Sequence, residues 1–192
     1  MLRRITICLL ITVCAACSMP ETQIYSLHMP EGKASSNRNS EASLVILMHS
    51  PRYLTQPYIA YRNSPYQLFI SRYSKWDSSP DEMVGQAFRD SLSASGLFKE
   101  VRTSNMVPGG FYSLKINVAH FERVDDENDS FGDLSFEATL LSPDGKEIYE
   151  GSVSRRTKLE DRSFVNLAKG LSGDLSAGIK EIVGNMERSL RH

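Results

Sequence analysis

Beyond position 17 the chain contains no cysteine, since Cys8, Cys14 and Cys17 are the only three in its 192 residues. Residues 18–192 therefore form no disulfide and offer no thiolate to a metal or a substrate, so packing must hold the fold. An excess of either charge is also missing, with 22 Lys and Arg against 23 Asp and Glu. That balance speaks against a nucleic-acid binder, which shows a clustered basic excess. At 41% hydrophobic residues it also speaks against a disordered chain. The sequence lacks a Gly-x-Ser-x-Gly elbow, a Gly-x-Gly-x-x-Gly turn, a P-loop and a His-Glu-x-x-His helix. Asp144-Gly-Lys146 reads as a hairpin turn, and His28, His49, His120 and His192 are too scattered to propose a metal site. No catalytic, cofactor-binding or metal-binding residue is assigned, and one domain is the expectation at this length.

The longest apolar run is at the start and is short. Met1-Leu-Arg-Arg4 is a basic leader, and Ile5 to Ala16 is an apolar stretch of 12 residues, the two parts of a secretory signal. A transmembrane helix needs about 20 apolar residues, and Ser18-Met-Pro-Glu21 ends the run before that. The run closes on Cys14-Ala-Ala-Cys17, which resembles the lipobox of a bacterial lipoprotein, with Cys14 where an aliphatic residue is usual. The resemblance implies cleavage after Ala16, a diacylglycerol thioether and acyl chains such as palmitate on Cys17, and a tether over residues 17–22. Ser18, in place of Asp, is similar to the outer-membrane sorting class. The bland alternative is an ordinary signal peptide cut near Ala16. Loss of Arg3 and Arg4 takes the net charge from −1 to −3. On that count an acidic domain has no charge-driven reason to lie on anionic lipid, and the acyl group alone is expected to hold it there.

The mature chain reads as one domain over 23–192. Gln23 to His28 suits a short strand, residues 31–43 a flexible Ser- and Asn-rich loop, and Leu44 to Met48 a buried strand. Tyr58–Arg62 and Tyr66–Arg72 form a hairpin about Asn63-Ser-Pro65. Ser79-Pro-Asp-Glu82 is a helix start with a capping box, and Met83, Val84, Ala87, Phe88 and Leu92 share a helical face that Gly96 closes. Leu97 to Arg102 follows as a strand. Tyr112–Val124, Leu134–Leu141 and Glu147–Leu159 then build an antiparallel meander, with Asp125 to Asp129 as a solvated tip. A last amphipathic helix runs from about Ser163 to Leu190, weakened by Gly170, Gly173, Gly178 and Gly184 and therefore dependent on packing. The order β-β-β-β-α-β-β-β-β-α predicts an α/β (α+β) two-layer sandwich, an antiparallel or mixed sheet with both helices on one face.

Tyr53, Tyr58, Tyr61, Tyr66, Tyr73 and Trp76 crowd into 24 residues. They line either the buried face of the strands or an amphipathic surface for a partner or lipid, because Tyr and Trp suit interfaces. Tyr53, Tyr58, Tyr61, Tyr66 and Trp76 are the candidate partner-binding residues.

Pro51-Arg-Tyr-Leu-Thr-Gln-Pro-Tyr-Ile-Ala-Tyr-Arg62, Trp76 before the first helix, and Ser95-Gly-Leu-Phe98 running to Val101 resemble, in order and spacing, the ABC-type transport auxiliary lipoprotein (PqiC-like) family. Thr55 stands where that family usually has Asp, and Asp77-Ser-Ser-Pro80 where it has Ala-x-Pro-Leu. With Tyr25-Ser-Leu27 after the lipobox, the likeness covers most of the mature chain. It implies a non-catalytic lipoprotein on the periplasmic face of the outer membrane, without a cofactor. Its partners would be an MCE-domain protein, an ABC permease complex or both, in Mla- or Pqi-like transport of lipids or other hydrophobic compounds. Self-association into a homo-oligomer stays open, and nucleic acid is not expected. Two other classes are a lipopolysaccharide-assembly lipoprotein that partners a β-barrel, and an anchored periplasmic hydrolase.

Overall fold

The computed structural model describes residues 20–30 and 41–191. The leader and Cys17 lie outside these residues, as does most of the predicted 31–43 loop. That loop's last residues are described and held: Glu41 pairs with Lys99 at 2.7 Å, Lys99 N–H donates to Ala42 O at 2.8 Å, and Ser43 already begins a strand.

The strands are β1 (Gln23–Tyr25), β2 (Ser43–His49), β3 (Tyr58–Ser64), β4 (Gln67–Trp76), β5 (Glu100–Thr103), β6 (Tyr112–Asp125), β7 (Ser130–Leu141) and β8 (Glu147–Lys158). The helices are α1 (Pro80–Ser95) and α2 (Phe164–Leu190), with a short 3-10 turn at Arg52–Thr55. All eight strands form one mixed sheet. β6, β7 and β8 are the expected antiparallel meander. The other side of β6 is shared: β2, in parallel, takes its first half and carries β5, while β3, also parallel, takes its end and carries β4 and β1.

Both helices lie on one face of this sheet and touch one another. α1 begins as expected, with Glu82 Oε2 accepting from Ser79 N–H at 3.3 Å and Pro80 at the first position, and ends at Gly96 with φ +70°. Its apolar face, Met83, Val84, Ala87, Phe88 and Leu92, is buried. α2 starts at Ser163, whose hydroxyl accepts from Asn166 N–H at 3.2 Å, and buries Leu167, Leu171, Leu175, Ile179, Ile182 and Met186 against β7 and β8. Phe88 and Phe136 meet edge to face across the layers at 5.4 Å.

The strand bounds shift in places: β1 ends at Tyr25 instead of His28, β5 begins at Glu100 instead of Leu97, and β7 begins at Ser130 instead of Leu134. The β3–β4 hairpin turns at Pro65 and Tyr66, so Tyr66 is the tip and not a strand residue. Midway along β6 a bulge between Val118 and His120 inserts one residue. Before it Leu114, Ile116 and Val118 face the helices; after it Phe121 and Arg123 do, and His120 and Glu122 turn to the outer face. A one-residue insertion reverses a period-2 pattern, and this one brings charged groups to an otherwise open sheet surface.

Candidate functional site

That outer face centres on Glu122, a carboxylate only 1% exposed on the side of the sheet that carries no helix. Burying an ionised carboxylate is costly unless it is paired and hydrogen-bonded. Three elements supply the partners. Tyr53 Oη, from the 3-10 turn, donates to Glu122 Oε2 at 2.8 Å; Arg62 Nε, from β3, pairs with Oε1; and His120 Nδ1 lies 3.3 Å from Oε1. Burial raises the Tyr53 phenol above its ordinary range, with the Glu122 charge adding to the effect, so Tyr53 remains a donor. Arg62 is raised in turn, chiefly by its hydrogen bond to Glu122. Across the β6–β7 pair stands Asp133, raised mainly by burial, with the Glu122 charge opposing its ionisation and His120 and Arg156 favouring it.

A second ion pair closes the helix side of the same strand end. Arg123 binds Asp125 at 2.9 Å, and its guanidinium lies over the rings of Tyr61 and Phe164 at 5.1 and 4.9 Å. Asp125, expected in a solvated tip, is thus held in a pair; the tip itself is residues 126–129, where Asp126 Oδ1 accepts from Asn128 and Asp129 N–H.

These contacts sort the candidate partner-binding aromatics. Trp76 is 2% exposed and packs edge to face on Phe121 at 5.6 Å, so it belongs to the core and presents no surface to a partner. Tyr53 is spent on Glu122, and Tyr61 stacks on Phe69 at 5.3 Å beneath Arg123. Tyr58 is exposed, and Tyr66, 95% exposed at the hairpin tip, is the most exposed aromatic among the described residues; Tyr73 joins them. Ile24 at 59% and Ile70 extend this surface, which sequence reading did not single out because neither residue belongs to an aromatic cluster. The pairing explains the grouping: Ile24, Lys75 and Tyr58 form one cross-strand row over β1, β4 and β3, and Ile70 lies opposite Ala60.

On the helix side α1, α2 and residues 27–30 border an open groove of about 980 Å³, its floor including Leu27, Met29, Met83 and Ile179. Among the described residues no helix is long and apolar enough to cross a membrane, and no group of His, Asp and Glu is arranged to hold a metal ion. Ser135 stands opposite His120 in the β6–β7 register, and no hydrogen bond joins the two among the described residues.

Comparison with known proteins decides the family. The model of the ABC-type transport auxiliary lipoprotein component matches residues 25–183, from β1 nearly to the end of α2. The chain belongs to this family. Among solved structures, protein XCC0632 of Xanthomonas campestris shares the fold at a TM-score of 0.74 and 18% identity, over 88% of this chain and 97% of that one. A second crystal structure, of an uncharacterized protein, matches at 0.63 and 17%, over 87% and 99%. No curated protein matches the sequence. In this family member the matched span holds the Glu122 cluster, the exposed hairpin, α1 and most of α2, and begins eight residues after Cys17.

Proposed function

We propose that the chain is a tethered, non-catalytic docking subunit of an ABC transport system in a bacterial envelope. It is held by acylated Cys17 on the periplasmic face of the outer membrane and serves an MCE-domain protein or permease complex of the Mla or Pqi type. The family match over 25–183 carries this reading. The lipobox supports the tether, since two or three acyl chains on one residue meet the requirement for stable anchoring, and Ser18 supports outer-membrane sorting. The Glu122 cluster does not argue for catalysis: Tyr53 and Arg62 occupy both carboxylate oxygens, so this buried charge fastens the 3-10 turn and the hairpin to β6. In mechanism, Cys17 fixes one end, and the sheet and helices present a preformed surface to the transporter.

Affinity capture from envelope extracts with wild type and Cys17→Ala, read by mass spectrometry, tests the proposal. An MCE-domain protein or ABC permease recovered by wild type, and more weakly by Cys17→Ala, is the expected result. Recovery of a β-barrel protein alone would move the chain to the assembly-factor class.

A further inference from the structure

The sheet edge nearest the anchor has a chemistry that the net charge hides. From Ala42 to Trp76 the sequence contains Arg52, Arg62, Arg72 and Lys75 and no Asp or Glu, in a chain whose net charge is −1. Arg62 is consumed by Glu122, whereas Arg72 and Lys75 make no ion pair among the described residues. The opposite edge of the sheet differs. There Arg155 pairs with Glu181 at 2.9 Å, Lys158 with Asp129 at 2.7 Å, and Arg156 lies over the Phe131 ring at 4.5 Å. One edge thus has its cations satisfied, and the other leaves them open beside exposed Ile24, Tyr58, Ile70 and Tyr73. Cations interleaved with tyrosine and aliphatic side chains are the composition that settles at a lipid head-group layer.

Chain length points to the same place. β1 pairs in parallel with the last residues of β4, Gln23 with Ser74 and Tyr25 with Trp76, so the chain enters the sheet from the Tyr73 side. Six residue steps from Cys17 to Gln23 span at most about 20 Å. Asp77 N–H donating to Tyr25 O at 2.9 Å and the Tyr25 ring against Phe164 fasten this entry to the domain. An anchor on so short a leash keeps the β1–β4 edge within reach of the membrane.

We propose that Ile24, Tyr58, Ile70, Arg72, Tyr73 and Lys75 seat on the anionic head groups of the membrane that holds the anchor, fixing the orientation of the domain. The proposal rests on the Cys17 reading for its geometry, and departs from the expectation, drawn from net charge, that the acyl group alone holds the domain there. Each cation near an anionic surface raises occupancy roughly fivefold. Lost together, the two lower it by about 25-fold.

The test uses two preparations: the mature acylated chain in vesicles, and a Cys17→Ala chain whose leader is replaced by a histidine tag bound to nickel-chelating lipid. Gln67→Cys, beside the patch on β4, carries a fluorophore, and Asp144→Cys in the β7–β8 turn is the distal control. Quenching by spin-labelled lipid is expected at position 67 on phosphatidylglycerol vesicles, several-fold above phosphatidylcholine, reduced by 0.5 M salt (roughly a 4 Å screening length) and abolished by Arg72→Glu with Lys75→Glu. Both residues are outside the core, so unchanged melting of that variant separates lost contact from lost folding. Equal quenching on the two lipids, or quenching indifferent to the double variant, would overturn the proposal. So would a photo-crosslinker at position 73 that captures a transporter subunit and no lipid. The mass of the N-terminal peptide reports acylation separately, so the anchor reading can fail while the chelator-bound chain still tests the patch.

Discussion

Glu122 shows what a single buried charge demands of its surroundings. Its three partners come from the 3-10 turn, β3 and β6, so the carboxylate pins the Arg52–Thr55 turn and the hairpin to the long strand. Removing one member of a buried pair leaves the other uncompensated; Glu122→Ala is expected to cost about 3 kcal/mol by urea unfolding. Asp133 gives the opposite sign. Burial raises its folded pKa, so its ionisation works against the fold, and that penalty is absent below the ordinary Asp value of 3.8 and grows as pH rises past it. Asp133→Asn should therefore match wild type in melting temperature at acid pH and exceed it at neutral pH; an advantage confined to acid pH would contradict this assignment. The aromatics divide likewise, Trp76→Ala costing about 3–5 kcal/mol and Tyr66→Ala less than about 0.5.

Among the elements, α2 depends most on its neighbours. It carries four glycines, each unfavourable in an isolated helix. They are not equivalent. A Cβ on Gly178 would meet Val153 Cγ1 at 2.9 Å and Phe136 Cζ at 3.0 Å, so this glycine lets the helix lie close on β7 and β8. Gly173 and Gly184 face open space. Gly178→Ala is expected to destabilise by about 1–3 kcal/mol and Gly173→Ala to stabilise by about 0.5–1, both read by thermal or urea unfolding.

The elements were legible in the sequence wherever a local rule governed them: the Ser79 to Glu82 helix start, the Gly96 stop, the meander and the two apolar helix faces. What the sequence did not display was non-local. The bulge near His120 leaves no mark in a strand that otherwise alternates, and without it His120 and Glu122 would be read on the wrong faces. The parallel insertion of β2 and β3 on one side of β6 depends on which strands meet, as does the Ile24, Lys75 and Tyr58 row. The crowded aromatics were visible, but their division into core, ion-cluster and surface members followed only from their contacts.

For the whole molecule, composition gave an average and the fold its distribution. A net charge of −1 conceals an acid-free stretch of 35 residues that supplies β2, β3 and β4, the last of which lies beside the edge strand β1. Family membership makes the chain an auxiliary component of an ABC transport system, and the docking role proposed above adds to that a tether at Cys17 and a partner within the system. The most direct test is binding of the purified acylated chain, in nanodiscs, to the periplasmic part of the MCE-domain or permease subunit recovered by capture, followed by interferometry. Saturable binding with Kd at or below about 10 µM is the predicted result; no saturation by about 1 mM, with the chain folded and its anchor intact, would contradict the docking role.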